Sequence, residues 1–233
     1  MVSLDVGSVE SKLRQLKLIG VGAEAEVRLG SYAGIKAVFK YRPPKRYRHK
    51  LLDFNLRFAR TRREARLLLK ASENHIPVPD LLAVYPTLAL LVMEYVEGEL
   101  LRVKLRREPL ERGDLLVDAG RILASLHSIG IVHGDSTTSN YIVTPDGRLY
   151  IIDFGLSSAS QSLEERAVDV HLFRRSLESA HASIADEAFR EFTEGYLSVA
   201  DEWGERVLRR ADEIRLMGRY VAERRTLWRV AEG

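Results

Sequence analysis

The feature that most constrains this chain is a short hairpin that separates two groups of polar residues. Two β-rich runs, residues 142–143 and 149–152, flank a turn at residues 145–147 that contains proline, aspartate and glycine. Proline and glycine favour a tight reversal, so the two runs are expected to pair as antiparallel strands. The hairpin would then fold the polar group at residues 153–155 back over the polar group at residues 133–140.

The polar residues on either side of the hairpin are those that phosphoryl transfer from ATP requires. One carboxylate must orient the attacking oxygen and accept its proton, while an asparagine and a second carboxylate hold Mg²⁺ on the triphosphate. Asp135, Asn140 and Asp153 match these roles in order, and the first two lie five positions apart, as in the kinase catalytic loop. The sequence therefore predicts ATP and Mg²⁺ as cofactors, Asp135 as a catalytic residue, and Asn140 and Asp153 as metal ligands.

A lysine that neutralises phosphate charge, and a helix carboxylate that fixes this lysine, are the next requirement. Lys40 ends a β-rich run, and Glu64 lies on a long predicted helix, residues 51–71, so both are assigned to the catalytic set as a pair. Lys36, on the same face of the strand, is the competing lysine. Three- and four-residue spacing predicts that the core face of the helix consists of Phe54, Phe58, Thr61, Ala65 and Leu68.

A turn of small residues should cover the phosphates, because small side chains let backbone N–H groups approach them. Residues 20–27 occupy that position, although an alanine stands where a third glycine is usual. Glu24 within this turn could bind Mg²⁺, repel phosphate or point away, and the sequence leaves these roles open. The predicted nucleotide contacts in the turn are Gly20, Gly22, Ala23, Glu24 and Ala25.

Residues 92–98 have the form of an adenine hinge. Backbone groups of Glu94 and Val96 would read the adenine edge, and Met93 would lie behind it. A buried strand followed by a turn explains the same residues equally well. Only their position relative to Lys40 favours the hinge.

The organisation along the chain indicates an α+β class with a two-lobed, protein-kinase-like fold. Residues 1–97 are expected to form a small β-rich lobe with one long helix, in which residues 11–50 are strands. Residues 98–233 are expected to form a mainly helical lobe that carries the catalytic loop, the metal-binding aspartate and a basic tail. Helices are predicted at residues 114–128 and over most of the chain from residue 163 onward.

Composition excludes several classes of protein. The 233 residues contain no cysteine, which excludes disulfides, zinc fingers and thiol catalysis. The longest apolar run, residues 88–93, is far shorter than the roughly 20 residues of a membrane-spanning helix, and no signal peptide is visible, so a cytoplasmic protein is expected.

Basic charge is concentrated in one part of the chain. Residues 40–66 contain eleven basic and two acidic side chains, whereas the whole chain has a net charge of only +3. A solvated helix face and a patch for phosphates or RNA explain this segment equally well.

Over nearly its whole length the sequence resembles the PRPK-type, or bud-site-selection, family, the small atypical kinase subunit of the KEOPS complex. The run Thr137-Thr138-Ser139 is the most family-specific part of the resemblance. Ser136 and Met217 depart from the family pattern, which has leucine and arginine there, and Ser136 is expected to add a hydroxyl beside Asp135. The matching motifs lie at residues 22–25, 40–42, 45–49, 52–53, 62–65, 133–140, 152–155, 167–169 and 218–219.

The resemblance implies a kinase-like fold that uses ATP and Mg²⁺, and Ser/Thr autophosphorylation in isolation. Within the complex it implies an ATPase activity that supports threonylcarbamoyladenosine formation at adenosine 37 of tRNA. The implied partners are a Kae-type tRNA threonylcarbamoyl transferase subunit, bound through the helical lobe and tail, and a Cgi-type regulatory subunit on the small lobe. Direct contact with tRNA is left open.

A reduced activation segment supports this family over ordinary protein kinases. No Ala-Pro-Glu follows the Asp-Phe-Gly motif, and Asp169 comes only 16 residues after Asp153. Asp169 is predicted to open a helix and to anchor the backbone of the His133 loop. A peptide substrate would lack its usual docking platform, so general protein phosphorylation is not expected to be the main activity.

Two other functions use the same residue types. Small-molecule phosphotransferases of the aminoglycoside or choline kinase type also combine His-Gly-Asp with a downstream asparagine and aspartate, but usually carry larger helical insertions. A non-catalytic nucleotide-binding scaffold usually loses the loop aspartate or the metal aspartate, and both are present here.

Overall fold

The computed structural model describes residues 6–109 and 114–231. The chain divides into two compact units, residues 1–97 and 98–233. In the described residues, no helix combines the length and the apolar character needed to span a bilayer.

The first unit is a five-stranded antiparallel sheet with two helices. The strand order is β1-β2-β3-β5-β4, so β3 is the central strand and places Lys40 opposite Val27 of β2 and Leu91 of β5. The elements are α1 (Val6–Gln15), β1 (Lys17–Val21), β2 (Glu26–Tyr32), β3 (Ile35–Tyr41), α2 (Lys50–Glu73), β4 (Leu81–Tyr85) and β5 (Leu90–Glu94).

Helix α1 overturns the prediction that residues 11–50 are strands. Leu13 is buried in the cluster on the sheet, and Leu16, three residues later, packs against the same cluster. Leu16 stands one residue beyond the end of α1, and its N–H donates to the carbonyl of Leu13 at 3.0 Å. Residues 11–15 contain one apolar side chain, so the local pattern does not distinguish this part of the helix from a short strand.

Helix α2 covers the predicted helix, but its core face is only partly the predicted one. Thr61, Ala65 and Leu68 are buried, whereas Phe54 and Phe58 stack on each other at a centroid distance of 5.9 Å, and Phe54 is 39% exposed. The buried face instead includes the carboxylates of Asp53 and Glu64. Charged side chains can be buried when they are paired, and apolar periodicity does not reveal such pairing.

The second unit is mainly helical and contains two small sheets, β6-β8-β9 and β7-β10. The predicted hairpin is confirmed, because β8 and β9 pair in antiparallel register with Tyr141 opposite Ile151. The elements are β6 (Glu99–Leu100), α3 (Leu101–Arg107), α4 (Leu115–Ser128), β7 (Ile131–Val132), β8 (Tyr141–Val143), β9 (Leu149–Ile151), β10 (Ser158–Ala159), α5 (Leu163–Ala180) and α6 (Ala185–Ala231).

Helices α4 and α6 cross with their backbones in direct contact. A Cβ atom at Gly120 would overlap the carbonyl oxygen of Phe192, and one at Gly195 would overlap that of Val117. Only glycine permits this approach at both positions. Further along, α6 changes direction at Asp201, whose φ of 45° is not helical.

Helix α5 begins at Leu163, where the sequence predicts the start of the helical region. Its N-cap is Ser162, whose hydroxyl accepts a hydrogen bond from the backbone N–H of Glu165. The prediction that Asp169 opens a helix is therefore wrong, because Asp169 lies inside α5, where it is fully buried.

Candidate active site

The catalytic-loop backbone is held by the carboxylate of Asp169. One carboxylate oxygen accepts the N–H of His133 at 2.6 Å, and the other accepts the N–H of Gly134 at 2.8 Å. Gly134 has a φ of +80°, and a Cβ there would press on the carbonyl of Leu156, so the loop requires glycine at this position. The predicted anchoring role of Asp169 is confirmed.

A buried histidine extends this anchor to two more helices. His127 of α4 lies with its Nε2 3.2 Å from Asp169 and its Nδ1 2.6 Å from the hydroxyl of Tyr196 on α6. Burial lowers the pKa of His127, outweighing the opposite effect of Asp169, and burial raises the pKa of Tyr196. The neutral imidazole can therefore donate a hydrogen bond through Nε2 to Asp169 and accept one through Nδ1 from the hydroxyl of Tyr196.

The buried histidine makes stability dependent on pH. The folded pKa of His127 lies below the ordinary value of 6.5, so the unfolded chain takes up a proton first as the pH falls. We expect the free energy of unfolding to be fully retained above about pH 6.5 and to decrease below it. Urea unfolding between about pH 8 and pH 5 measures this, and the slope should be smaller in His127→Gln. Burial also lowers the pKa of His171 and His181, so part of the slope should remain, and an identical slope in the variant would contradict the assignment.

Asp135 and Asn140 are in direct contact in the structure. The side-chain amide of Asn140 donates to the carboxylate of Asp135 at 2.9 Å and to its backbone carbonyl at 2.7 Å. The N–H of Ile152 donates to the carbonyl of Asn140 at 2.9 Å, which brings the end of β9 back to the loop. Asp153 follows with a φ of 65°, and its carboxylate accepts the N–H of Gly155 at 3.0 Å. The hairpin thus gathers the three predicted residues into one region of the second unit.

Ser136 does not place its hydroxyl beside Asp135. Its side chain is fully buried, and its hydroxyl oxygen lies 3.3 Å from that of Tyr141. This departure from the family pattern changes the core under the loop rather than the polar side of the loop.

Glu64 is held in place by two buried cations. The ammonium of Lys40 donates to one carboxylate oxygen at 2.6 Å, and the guanidinium of Arg42 donates to the other. All three side chains are at most 6% exposed. Lys36, the competing lysine, lies 4.1 Å over the ring of Tyr95 instead. The structure thus pairs the lysine and the carboxylate that the sequence singled out.

The phosphate-loop candidate, residues 20–25, is tied to the rest of the first unit through Glu24. Its carboxylate lies 2.8 Å from Arg48 and 2.9 Å from Arg60. The hydrogen bond from Arg48, more than any other contact, lowers the pKa of Glu24 to about 2. Lys45 donates to the carbonyl of Ala23 at 2.8 Å. Glu24 therefore serves as an anchor for the loop within an arginine cluster.

The hinge candidate lies at the end of β5. The N–H of Glu94 donates to the carbonyl of Asp80 at 2.8 Å, and the N–H of Tyr95 to that of Lys36 at 3.1 Å. Val96 donates its N–H to no backbone group in the described residues. Adenine recognition at this hinge would thus use the carbonyl of Glu94 and the N–H of Val96.

Residues 27–179 match the family model of the RIO domain. The chain belongs to the RIO-domain family. The KEOPS complex subunit Bud32 of Pyrococcus abyssi is 40% identical over 213 residues, which cover 88% of this chain and 96% of that protein. A probable bifunctional tRNA threonylcarbamoyladenosine biosynthesis protein of Methanocaldococcus jannaschii is 37% identical over 219 residues, or 93% of this chain and 39% of that longer protein. The expected membership of the bud-site-selection group within this atypical kinase family is confirmed.

A solved structure shows that the RIO-domain fold extends over most of the chain. The ADP/Mg²⁺-phosphoaspartate complex of the Rio2 kinase from Chaetomium thermophilum aligns with a TM-score of 0.60 and 15% sequence identity. The alignment covers 91% of this chain and 75% of that one. The kinase-like fold predicted from the sequence is confirmed.

The oxygen atoms of this RIO domain suit Mg²⁺ on a nucleotide better than a metal held by protein alone. Within the described residues, no three His, Asp or Glu side chains cluster to form such a site. The amide nitrogen of Asn140 donates to Asp135, so the amide oxygen of Asn140 and the carboxylate of Asp153 are the atoms that would contact the metal ion. Mg²⁺ commonly takes one or two such groups plus phosphate oxygens and water.

Sequence reasoning assigned no role to Arg42, His127 or Tyr196. Arg42 stands two positions after Lys40 and one residue beyond the end of β3, a two-residue spacing that signals that it could reach the same carboxylate. His127 and Tyr196 are 69 positions apart, and only the fold brings them together.

Proposed function

We propose that this chain is an ATP- and Mg²⁺-dependent atypical Ser/Thr kinase with ATPase activity that works in a cytoplasmic KEOPS complex. In that role it supports formation of threonylcarbamoyladenosine at position 37 of tRNA. The observation that carries the chemistry is the contact between Asp135 and Asn140, on a loop whose backbone Asp169 holds in place. The names of the two relatives supply the biological setting.

Each candidate residue has a specific task in this proposal. Asp135 orients the attacking oxygen and accepts its proton, and Asn140 keeps that carboxylate in position while its amide oxygen, with Asp153, holds Mg²⁺. When bound, the metal ion would neutralise part of the negative charge of the triphosphate. Lys40, fixed by Glu64, neutralises the phosphates further. The backbone of Gly20, Gly22, Ala23, Glu24 and Ala25 covers the phosphates, and Met93, Glu94 and Val96 receive the adenine.

Hydrolysis of ATP fits the structure better than phosphorylation of diverse peptides. The segment between Asp153 and α5 contains one short 3-10 turn and β10, which pairs with β7. The hydroxyl of Ser157 in this segment donates to the carbonyl of His133 at 2.9 Å. These bonds tie the segment to the catalytic loop, and its short length provides little surface on which a peptide could dock.

The proposed partners follow from the same relatives. Because Bud32 is a subunit of the KEOPS complex, we infer binding to a Kae-type tRNA threonylcarbamoyl transferase subunit and to a Cgi-type regulatory subunit. The second relative, of which this chain covers 39%, is named for biosynthesis of threonylcarbamoyladenosine in tRNA. We infer that tRNA is the substrate of the complex.

The test is Mg²⁺-dependent ATP hydrolysis by the wild type and by Asp135→Ala, each alone and with the Kae-type subunit and tRNA. We expect partner and tRNA to stimulate the wild type, and Asp135→Ala to lower turnover by about 10²- to 10⁴-fold, the usual contribution of a positioned base. Asp146→Ala in the exposed hairpin turn is the matched control and should keep wild-type turnover.

Three outcomes would contradict the proposal. Unchanged turnover in Asp135→Ala would remove Asp135 from catalysis. Wild-type hydrolysis that is indifferent to partner and tRNA would indicate an independent kinase. Phosphorylation of an aminoglycoside or of choline in the same assay would favour a small-molecule phosphotransferase.

A further inference from the structure

The first unit contains a cavity of about 770 Å³ that is lined mostly by charged side chains. Its walls come from α1, β2, the end of β3, residues 43–50 and the start of α2. Seven basic and three acidic side chains line it, so its net charge is +4. We call it the basic cavity. None of the residues assigned above to ATP or Mg²⁺ lines it.

The three carboxylates of the basic cavity are already engaged. Glu26 lies 2.7 Å from Arg28, Asp53 lies 2.7 Å from Arg57, and Glu10 accepts the hydroxyl of Tyr41. Glu26 and Asp53 therefore compensate the charges of Arg28 and Arg57, whereas Glu10 has a neutral hydrogen-bond partner.

Three cations of the basic cavity, Arg14, Arg46 and Lys50, are exposed. Among the described side chains, residues 10–109 and 114–217, none of the three forms an ion pair with a carboxylate. Lys45 at the same wall donates to a backbone carbonyl. The cavity thus presents the guanidinium groups of Arg14 and Arg46 and the ammonium group of Lys50 to solvent.

The guanidinium and ammonium groups that line the basic cavity favour a ligand with several phosphate groups. Guanidinium groups bind phosphate oxygens in pairs, and lysine adds a point charge. The volume far exceeds that of one phosphate, and the apolar lining is confined to Leu13, Tyr41 and two prolines, which suits an extended polyanion better than an apolar molecule.

We propose that the basic cavity binds consecutive phosphates of an RNA backbone. The choice of RNA rests on the proposed function, whereas the anion site rests only on the charge and shape of the cavity. The binding is expected to be independent of base sequence and strongly weakened by salt, because it consists of phosphate contacts. Within the basic segment 40–66, the cavity is lined by Lys45, Arg46, Arg48, Lys50 and Arg57, whereas the exposed Arg62 and Arg66 of α2 lie outside it.

The test measures binding of fluorescently labelled tRNA by anisotropy over a range of salt concentrations, using the full chain without ATP. The double variant Arg46→Gln/Lys50→Gln should bind more weakly and should lower the slope of log affinity against log salt by about two. Unlabelled tripolyphosphate should compete with tRNA for the wild type. The matched control is Arg62→Gln/Arg66→Gln, which removes the same charge from exposed positions of α2 outside the cavity and should keep the wild-type slope.

Equal losses in the two double variants would overturn the proposal, because they would show a diffuse positive surface. Wild-type tRNA affinity in Arg46→Gln/Lys50→Gln, with loss of tripolyphosphate binding, would overturn RNA as the ligand and assign a small phosphate compound. Since no ATP is present, these results do not depend on whether Asp135→Ala abolishes hydrolysis. Circular dichroism of each variant checks that the fold is kept.

Discussion

Replacing Asp169 by alanine should lower the free energy of unfolding by about 3–5 kcal/mol and abolish ATP hydrolysis. The fully buried carboxylate accepts the N–H groups of His133 and Gly134 and contacts His127. Its removal leaves these buried donors without an acceptor, and breaking a buried charged network typically costs this much. The catalytic loop would lose its backbone anchor at the same time, so activity should fall further than stability alone explains.

The measurement pairs urea unfolding with ATP hydrolysis at a temperature where the variant is still folded. Tyr196→Phe is the graded control, since it removes only the hydroxyl that contacts His127 and should cost about 1 kcal/mol. An Asp169→Ala chain with wild-type stability and turnover would show that the loop is held by other contacts.

Glu64→Gln should be the second severe substitution. The carboxylate lies between two buried cations, Lys40 and Arg42, and its neutralisation leaves like charges facing each other in a poorly solvated site. We expect a loss of about 3–5 kcal/mol in the free energy of unfolding. Use of ATP should also fall, because Lys40 would no longer be held for the phosphates.

A double-mutant cycle identifies the route by which Arg42 acts. Arg42 donates to Glu64 and lies near Thr61, so Arg42→Gln should weaken ATP use through the position of Glu64. In that case the double variant should lose little more ATP use than Glu64→Gln alone, so the effects of the two substitutions should be clearly non-additive. Lys36→Gln is the control on the same strand, with a stability change within about 0.5 kcal/mol. Additive effects on both stability and KM for ATP would show that Arg42 acts independently of Glu64.

The parts of the fold that the sequence predicted are those with local signals. The hairpin has two short apolar runs and a turn with proline and glycine, and α2 has helical spacing from Phe54 to Leu68, which is about four turns. The pairing of Lys40 with Glu64 followed from the known needs of phosphate chemistry. The kinase-like fold followed from the order of these motifs along the chain.

The parts that the sequence missed depend on contacts between distant positions. Glu64 is buried on α2 because Lys40 and Arg42 pair with it from outside the helix, whereas Asp53 pairs with Arg57 one turn later on α2 itself. Helix α1 is short and depends on packing against the sheet, which composition does not show. Likewise, a lone histidine in α4 acquires its role only when α5 and α6 bring Asp169 and Tyr196 to its two nitrogens.

The glycine contact between α4 and α6 also limits how this chain can be redesigned. Gly120 and Gly195 each meet the opposite backbone, so a larger residue at one of them cannot be compensated by a smaller one at the other. The crossing lies beside Tyr196, through which α6 contacts His127 and the anchor of the catalytic loop. Consensus or helix-stabilising design would replace both glycines with alanine as routine improvements, and at these two positions that choice would force the helices apart. A redesigned sequence should therefore keep glycine at both positions.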